Sequence, residues 1–252
     1  MVFNLIIKKL FKLVGLNVTR IYKEPDIAID KEIQRKAQVR EEAKRFKWLD
    51  DYHLRTIIDI GANEGQFAEK ILTVLPSVEV HCFEPLQEAF KKLQSNFSKE
   101  KNIFLYNFGL GETNEVREIF KNEYSPSSSL LEMVELHKSN FDYAVNVIPE
   151  TIELRKLDEV LPGSLNKPLL VKIDVQGYEM FVLKGGYSVI RQADIVIIET
   201  SFYPLYLGQA LFDDIYEYFK KIGFGYYGNV EQLVAPSDHK VLQADAIFIR
   251  NQ

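Results

Sequence analysis

Nine consecutive residues, Asp59-Ile60-Gly61-Ala62-Asn63-Glu64-Gly65-Gln66-Phe67, carry the densest chemical signal in this sequence. They follow a short apolar run and open a helical pattern. In α/β proteins such a strand–turn–helix junction presents backbone N–H groups and the positive end of a helix dipole to a ligand. Two ligand classes compete for it. A dinucleotide wants Gly-x-Gly-x-x-Gly, because its pyrophosphate approaches the backbone at the second glycine. Here that position is Asn63, whose side chain crowds a pyrophosphate but can hydrogen-bond an amino-acid group. S-adenosylmethionine carries no phosphate. It needs a tight turn under its methionine part, an acid for the ammonium and backbone donors for the carboxylate. Asp59 supplies the acid, directly or through water, and Gly61 and Gly65 permit close approach. Ala62 and Phe67 belong to the same turn. Glu84 follows Asp59 by 25 positions (84 − 59) and ends the next strand, beside Pro85, where a carboxylate can accept hydrogen bonds from both ribose hydroxyls. Dinucleotide folds place an acid similarly, so Glu84 supports a nucleoside and Asn63 selects the cofactor. The competing structural account makes Asp59 a helix cap and Glu84 a surface acid.

A second constellation is Lys172-Ile173-Asp174-Val175-Gln176-Gly177-Tyr178-Glu179. Asp174 ends an apolar strand, which puts it at the carboxyl edge of a parallel sheet, where ligands of open α/β sheets bind. Methyl transfer from a sulfonium is an in-line displacement at a carbon already activated, and orientation alone supplies roughly 7–11 kcal/mol in favourable cases. Were the acceptor a hydroxyl, it would be protonated at neutral pH, and a base or a metal beside it would help. Asp174 is the candidate base and also borders the cofactor, with Glu179 and Lys172 as catalytic neighbours. Strand alternation points Lys172 and Asp174 to one side, where they can pair. A purely structural Asp174 would cap the following helix or serve only as the partner of Lys172. Glu199, ending a later strand, either joins Asp174 at a metal or a substrate hydroxyl or serves structure alone. A divalent metal fits the chemistry, but no pattern supports one, because no Cys/His cluster has zinc spacing. No Gly-x-Ser-x-Gly elbow or Walker lysine occurs either. His81 lies inside a strand. His137 lies in an insertion, within reach of an acceptor or on the surface. His53 and His239 have no chemical neighbours in sequence.

The elements that must position these residues alternate. Thr56–Ile60, Val78–Phe83 and Ile103–Phe108 read as strands, separated by helices over Gln66–Leu75 and Leu86–Phe97. This βαβαβ series implies a parallel sheet with helices on both faces. Asn107, Phe108 and Gly109 end the third strand, where they should border the adenine. The series then breaks at an insertion of about 112–155. It holds β segments at Val116–Phe120 and Thr151–Leu154, a polar stretch through Ser125–Ser129 and a helical piece at Leu130–His137. Ser127–Leu130 could close over the cofactor or meet the acceptor, or form a plain loop. The sheet resumes with Leu169–Ile173, a helix near Glu179–Leu183, and Ile195–Ile198. A helix over Leu211–Ile222 follows, and Phe224–Tyr227 and Ala246–Ile249 close the chain as an antiparallel pair. Phe202, Tyr203, Tyr206, Phe212 and Tyr216 offer stacking faces for a sugar or fill the core.

Composition bounds the rest. The chain has 252 residues, which suits one α/β domain with additions, here a 1–55 helical extension before a 56–252 domain. A net charge of −5 lacks the basic excess of a nucleic-acid binder. The single cysteine, Cys82, lies in an apolar run and cannot form an internal disulfide, which fits a cytoplasmic setting. No run reaches the roughly 20 apolar residues of a membrane span. Residues 1–23 carry five basic residues and no acid, with apolar residues near helical spacing. The lysines interrupt the apolar residues, unlike a signal peptide. Two readings remain: an amphipathic helix packed on the domain or on a second subunit, and a helix lying on an anionic membrane.

Taken together, the Asp59–Phe67 run, Phe83-Glu84-Pro85, the Lys172–Glu179 stretch with Val182-Leu183-Lys184-Gly185-Gly186, Glu199–Tyr206 and Asp245-Ala246-Ile247-Phe248 resemble the FkbM family of methyltransferases. The resemblance covers roughly residues 56–250. It implies a Rossmann-like class I methyltransferase fold, α/β with a seven-stranded mixed sheet whose last strand is antiparallel. It also implies O-methyl transfer from S-adenosylmethionine, often to sugar hydroxyls of glycans or glycolipids, or to natural products. Family patterns often carry Glu where this chain has Gln176, which leaves that position without an implied role. Two other function classes stay open: a non-catalytic cofactor-binding subunit and a dinucleotide oxidoreductase.

Overall fold

A computed structural model describes residues 27–122, 129–134, 147–161, 163, 165–236 and 238–251. The amphipathic segment 1–23, Ser127 and His137 therefore lie outside the described residues. The chain divides into two compact units, Met1–Glu41 and Glu42–Gln252. In the first, helix α1 (Ile27–Ala43) is exposed along 31–38 and carries ion pairs from Glu32 to Arg35 and Lys36.

The second unit opens with a 3-10 helix, Lys44–Tyr52, whose Phe46 and Leu49 are buried. With Leu54 they pack against Ile57, Ala68 and Ile71. The strands and helices then follow as β1 (Thr56–Ile60), α2 (Gln66–Val74), β2 (Glu79–Phe83), α3 (Gln87–Asn96) and β3 (Ile103–Tyr106). Next come β4 (Gly109–Leu110), β5 (Glu115–Asn122), β6 (Val147–Arg155) and α4 (Leu157–Val160). The chain closes with β7 (Leu169–Ile173), α5 (Glu179–Gly185), α6 (Tyr187–Ile190), β8 (Ile195–Ser201), α7 (Phe212–Lys221), β9 (Phe224–Val234) and β10 (Val241–Arg250).

The main sheet runs β3-β2-β1-β7-β8-β10-β9. The ladders joining β3, β2, β1, β7 and β8 are parallel, and β10 is antiparallel to both neighbours. This is the seven-stranded mixed sheet that the family resemblance implies, with its last strand, β10, reversed. Every residue of β1 and β7 is buried, because helices cover both faces and a parallel strand then reads as a continuous apolar run. Alternate residues feed opposite faces: Ile58, Ile60, Val171 and Ile173 pack with Phe219 and Phe248, while Ile57, Leu170 and Ile197 pack with Phe46, Ile71 and Leu93.

Two local expectations need correction. The third strand stops at Tyr106 rather than Phe108. The Asn107 amide donates to the carbonyls of Glu84 and Pro85, and the chain then crosses into a second sheet, ordered β4-β6-β5. The helical piece expected from Leu130 is not helical over 129–134. Met133 forms an isolated antiparallel bridge with Tyr206, and the Val134 N–H donates to the Leu205 carbonyl. Its apolar residues serve two separate clusters, Leu130 with Leu86 and Tyr178, Met133 with Leu205 and Leu242.

Candidate cofactor and acceptor site

A cavity of about 300 Å3 is lined by the ends of β1, β2 and β7, the turn after β1, and the second sheet through Ile119, Ile152 and Leu154. Asp59, Gly61, Ala62, Asn63, Phe67, Glu84 and Pro85 line it. So do Gly109, Lys172 and Asp174. Gly65, Asn107, Phe108 and Glu179 are not in the lining. Phe108 is covered instead by the Arg155 guanidinium, 4.4 Å above its ring.

The turn after β1 is wired to the end of β2. The Gly61 and Ala62 N–H groups both donate to the Phe83 carbonyl at 3.0 Å. Asn63 sits at φ +50° and its N–H donates to Glu84 Oε2 at 2.8 Å, while Glu84 Oε1 accepts from the Leu86 N–H at 2.8 Å. Burial pushes the Glu84 carboxyl up to about 7 despite these two backbone bonds. A carboxylate has about four acceptor positions, so each oxygen keeps capacity for a ribose hydroxyl. Asp59 is fully buried and its Oδ2 has no hydrogen-bond partner. Burial raises its pKa to about 7, against the pull of the nearby Lys172 ammonium. A buried carboxyl oxygen without a partner is costly unless a ligand donor meets it. The α-ammonium of S-adenosylmethionine is such a donor, and Asp59 and Glu84 fit that cofactor, whereas the N–H groups of Gly61, Ala62 and Asn63, expected to meet its carboxylate, are already committed to Phe83 and Glu84.

The two glycines act differently from the sequence-based account. A Cβ on Gly61, at φ +83°, would lie 1.8 Å from the Asp174 backbone oxygen. One on Gly65, at φ +93°, would lie 2.2 Å from the Phe97 ring. These positions are small because chain packs on chain there, and only Gly61 also borders the cavity.

Across the cavity, Lys172 is buried, with its Nζ 3.4 Å from Asp174 Oδ2 and 3.0 Å from Asp245 Oδ1. Burial disfavours the ammonium, but Asp174, Asp245 and Glu199 together outweigh it and hold the group above its usual range. The Gln176 amide, at φ +52°, donates from Nε2 to Asp174 Oδ1 at 2.8 Å and Glu199 Oε2 at 2.9 Å. Its Oε1 accepts the Tyr206 hydroxyl at 2.7 Å, which fixes which way the amide points. Burial first, then Asp174, Glu179 and Asp245, push Glu199 well above the carboxylate range. Glu179 Oε1 accepts the N–H groups of Gly177 at 3.0 Å and Val175 at 3.3 Å, so it braces the turn that carries Asp174. Burial raises its pKa to about 7.

Asp245 was not given a role at the site by the sequence, Gln176 was left without one, and Tyr206 was expected only as a stacking face for a sugar or as core. One signal pointed to Asp245, an acid at an interior strand position between Ala244 and Ala246. Tyr206 is buried beneath the site, whereas Phe202 packs 5.3 Å from Phe212 outside the lining. Ser129 donates its hydroxyl to the Gln176 carbonyl at 2.6 Å, and its neighbour Leu130 lines the cavity. His81 bonds Tyr106 and Glu79 within the sheet. Among the described residues no three His, Cys, Asp or Glu side chains are grouped to hold a metal ion, and no helix is long and apolar enough to cross a membrane.

Residues 59–226 match the family model described as a methyltransferase FkbM domain. The 2-O-methyltransferase NoeI of Sinorhizobium fredii is 26% identical over 165 residues, covering 61% of this chain and 66% of that protein. The hexuronic acid methyltransferase AglP of Haloferax volcanii is 28% identical over 142 residues, 56% of this chain and 54% of that protein. The antimetabolite synthetase AmbE of Pseudomonas aeruginosa is 28% identical over 159 residues, 51% of this chain and 7% of that protein. The chain thus spans less than two thirds of the length of each of these relatives. Among solved structures, magnesium protoporphyrin IX methyltransferase from Synechocystis aligns with a TM-score of 0.46 at 10% identity, over 98% of this chain and 96% of that one.

Proposed function

The chain belongs to the FkbM family of methyltransferases, and from that premise we propose that it transfers a methyl group from S-adenosylmethionine to a hydroxyl oxygen of a sugar in a glycan or glycolipid. One observation carries the reading. A single cavity joins a buried, partnerless Asp59 oxygen and an amide-held Glu84 carboxylate at one side to Asp174 at the other. The relatives NoeI and AglP, named for 2-O-methyl transfer and for hexuronic acid methylation, support oxygen as the acceptor atom and a sugar as its carrier. The match to AmbE favours a second reading, a small natural product as acceptor.

Bound S-adenosylmethionine supplies a methyl group activated by a sulfonium. Asp59 would hold the ammonium and Glu84 the ribose hydroxyls. Asp174 would accept the hydrogen bond of the acceptor hydroxyl, orient its lone pair for in-line attack and take its proton as the O–C bond forms and the methyl–sulfur bond breaks, leaving the sulfur as a neutral thioether. Lys172 and Gln176 hold the two Asp174 oxygens in place, and Glu179 supports the turn behind them.

Titration calorimetry and methyl-transfer assays on acceptor pools test this. S-adenosylmethionine should bind and NAD should not. An Asp174→Asn variant should keep cofactor affinity within about twofold and lose at least a hundredfold in turnover, in the range expected for a general base. Unchanged turnover in that variant would reduce Asp174 to a structural residue.

A further inference from the structure

The cavity wall bears five acids, Asp59, Glu84, Asp174, Glu231 and Asp245, against two lysines, Lys70 and Lys172. Sheet order separates them. Glu84 ends β2 and Asp245 lies on β10, four strands apart in the order β2-β1-β7-β8-β10. At about 4.8 Å per strand that is roughly 19 Å. Glu84 therefore lies on the nucleoside side and Asp245, with Asp174 and Glu231, toward the other, while Asp59, opposite Lys172 in the β1–β7 register, sits between them. Neither lysine on that side is free. Lys172 is held by Asp245 at 3.0 Å and Asp174 at 3.4 Å, and Lys70 by Glu42 at 3.0 Å and Glu231 at 3.8 Å. The Gln176 amide N–H groups are committed to Asp174 and Glu199. Among the described residues, the charged groups left toward an incoming sugar are carboxylates, which accept hydrogen bonds from hydroxyl or ammonium groups and repel anions; the neutral side chains of Asn63, Gln66 and Tyr178 also line the cavity. Phe46 and Phe67, packed edge to face at 5.5 Å, add an aromatic wall for the apolar face of a sugar ring.

We propose that the acceptor site is built for a sugar without an anionic group, neutral or amino-bearing, and that Asp174, Asp245 and Glu231 exclude uronates, sialates and sugar phosphates, which sets this chain apart from AglP, the relative named for a hexuronic acid. This rests on the sugar-methylating function proposed above. The test uses the full chain and S-adenosylmethionine with an isotopically labelled methyl group. It is offered neutral, amino and acidic oligosaccharide pools, with the acidic pool taken before and after chemical reduction of its carboxyl groups. Label should enter the neutral or amino pool, and the acidic pool should take up a tenth as much or less until reduction raises it at least tenfold. Equal or better labelling of the unreduced acidic pool overturns the proposal. A Glu231→Gln variant, which releases Lys70 from one of its two acids, should raise the acidic-to-neutral ratio at least threefold; an unchanged ratio also counts against it. If the cofactor binds and no oligosaccharide pool is labelled while a natural-product pool is, the sugar reading itself fails and takes this one with it.

Discussion

Asp59 and Glu84 each have a pKa raised to about 7 by burial, whereas unfolded carboxyls titrate near 4. A folded-state pKa above the unfolded one means that the stabilisation is complete below about pH 4 and is lost as the pH rises through 7. A shift of about three units bounds the effect at about 4 kcal/mol for each group. A ligand ammonium against Asp59 reverses that preference, because it needs the carboxylate. S-adenosylmethionine should therefore bind with proton release at pH 6.5 and bind more tightly as the pH climbs from 5.5 to 8. Calorimetry in two buffers of different ionisation enthalpy measures the protons released. Asp59→Asn should remove most of that release and weaken binding at least tenfold. By urea denaturation, the same variant should stabilise the ligand-free protein more at pH 8 than at pH 5.5. Equal effects at the two pH values would sink the assignment. These two acids and Asp174 were legible in the sequence because each ends an apolar strand. The bond between Gln176 and Tyr206 was not, because it joins side chains 30 positions apart whose spacing carries no pattern.

Elements locate those residues, and the glycines show how tightly. Gly61 and Gly163 both have positive φ, but a Cβ on Gly61 meets the Asp174 carbonyl at 1.8 Å while one on Gly163 meets nothing within 4 Å. Gly163→Ala should therefore cost only about 1 kcal/mol of backbone strain. Gly61→Ala must also push β1 away from the turn after β7 and should cost more than about 4 kcal/mol, with S-adenosylmethionine binding lost. Urea denaturation of the two variants makes the comparison, and similar losses would refute the packing explanation. The buried strands were legible because apolar β-branched runs between helical patterns have few alternatives. The antiparallel closing pair was legible as well, although β9 and β10 extend further than their apolar cores suggested. The two-residue strand β4 and the extended stretch at 129–134 were not. Each is chosen by a distant partner, Leu154 and Arg155 for β4 and Leu205 and Tyr206 for the other, and local sequence does not encode that choice.

At the scale of the molecule, the compact second unit begins at Glu42 and so takes in residues 42–55 of the expected 1–55 extension. Phe46, Leu49 and Leu54 belong to its core, and Phe46 also lines the cavity. Three hydrophobic residues in a charge-rich stretch do not stand out by composition, and their burial depends on α2 and β1 being folded beside them. Full burial of each such side chain is worth about 1.5–3 kcal/mol, so the three together contribute roughly 5–9 kcal/mol, comparable to the whole stability of a typical domain. The cavity lining runs from Phe46 to Asp245, entirely within the second unit. Removing residues 1–41 should therefore leave S-adenosylmethionine affinity within about twofold and the unfolding midpoint nearly unchanged. Removing residues 1–55 should abolish cooperative unfolding and cofactor binding together. Circular dichroism melts and calorimetry on the two truncations distinguish these outcomes. A cooperative, cofactor-binding protein starting at Thr56 would show that the 3-10 helix is an appendage rather than part of the core.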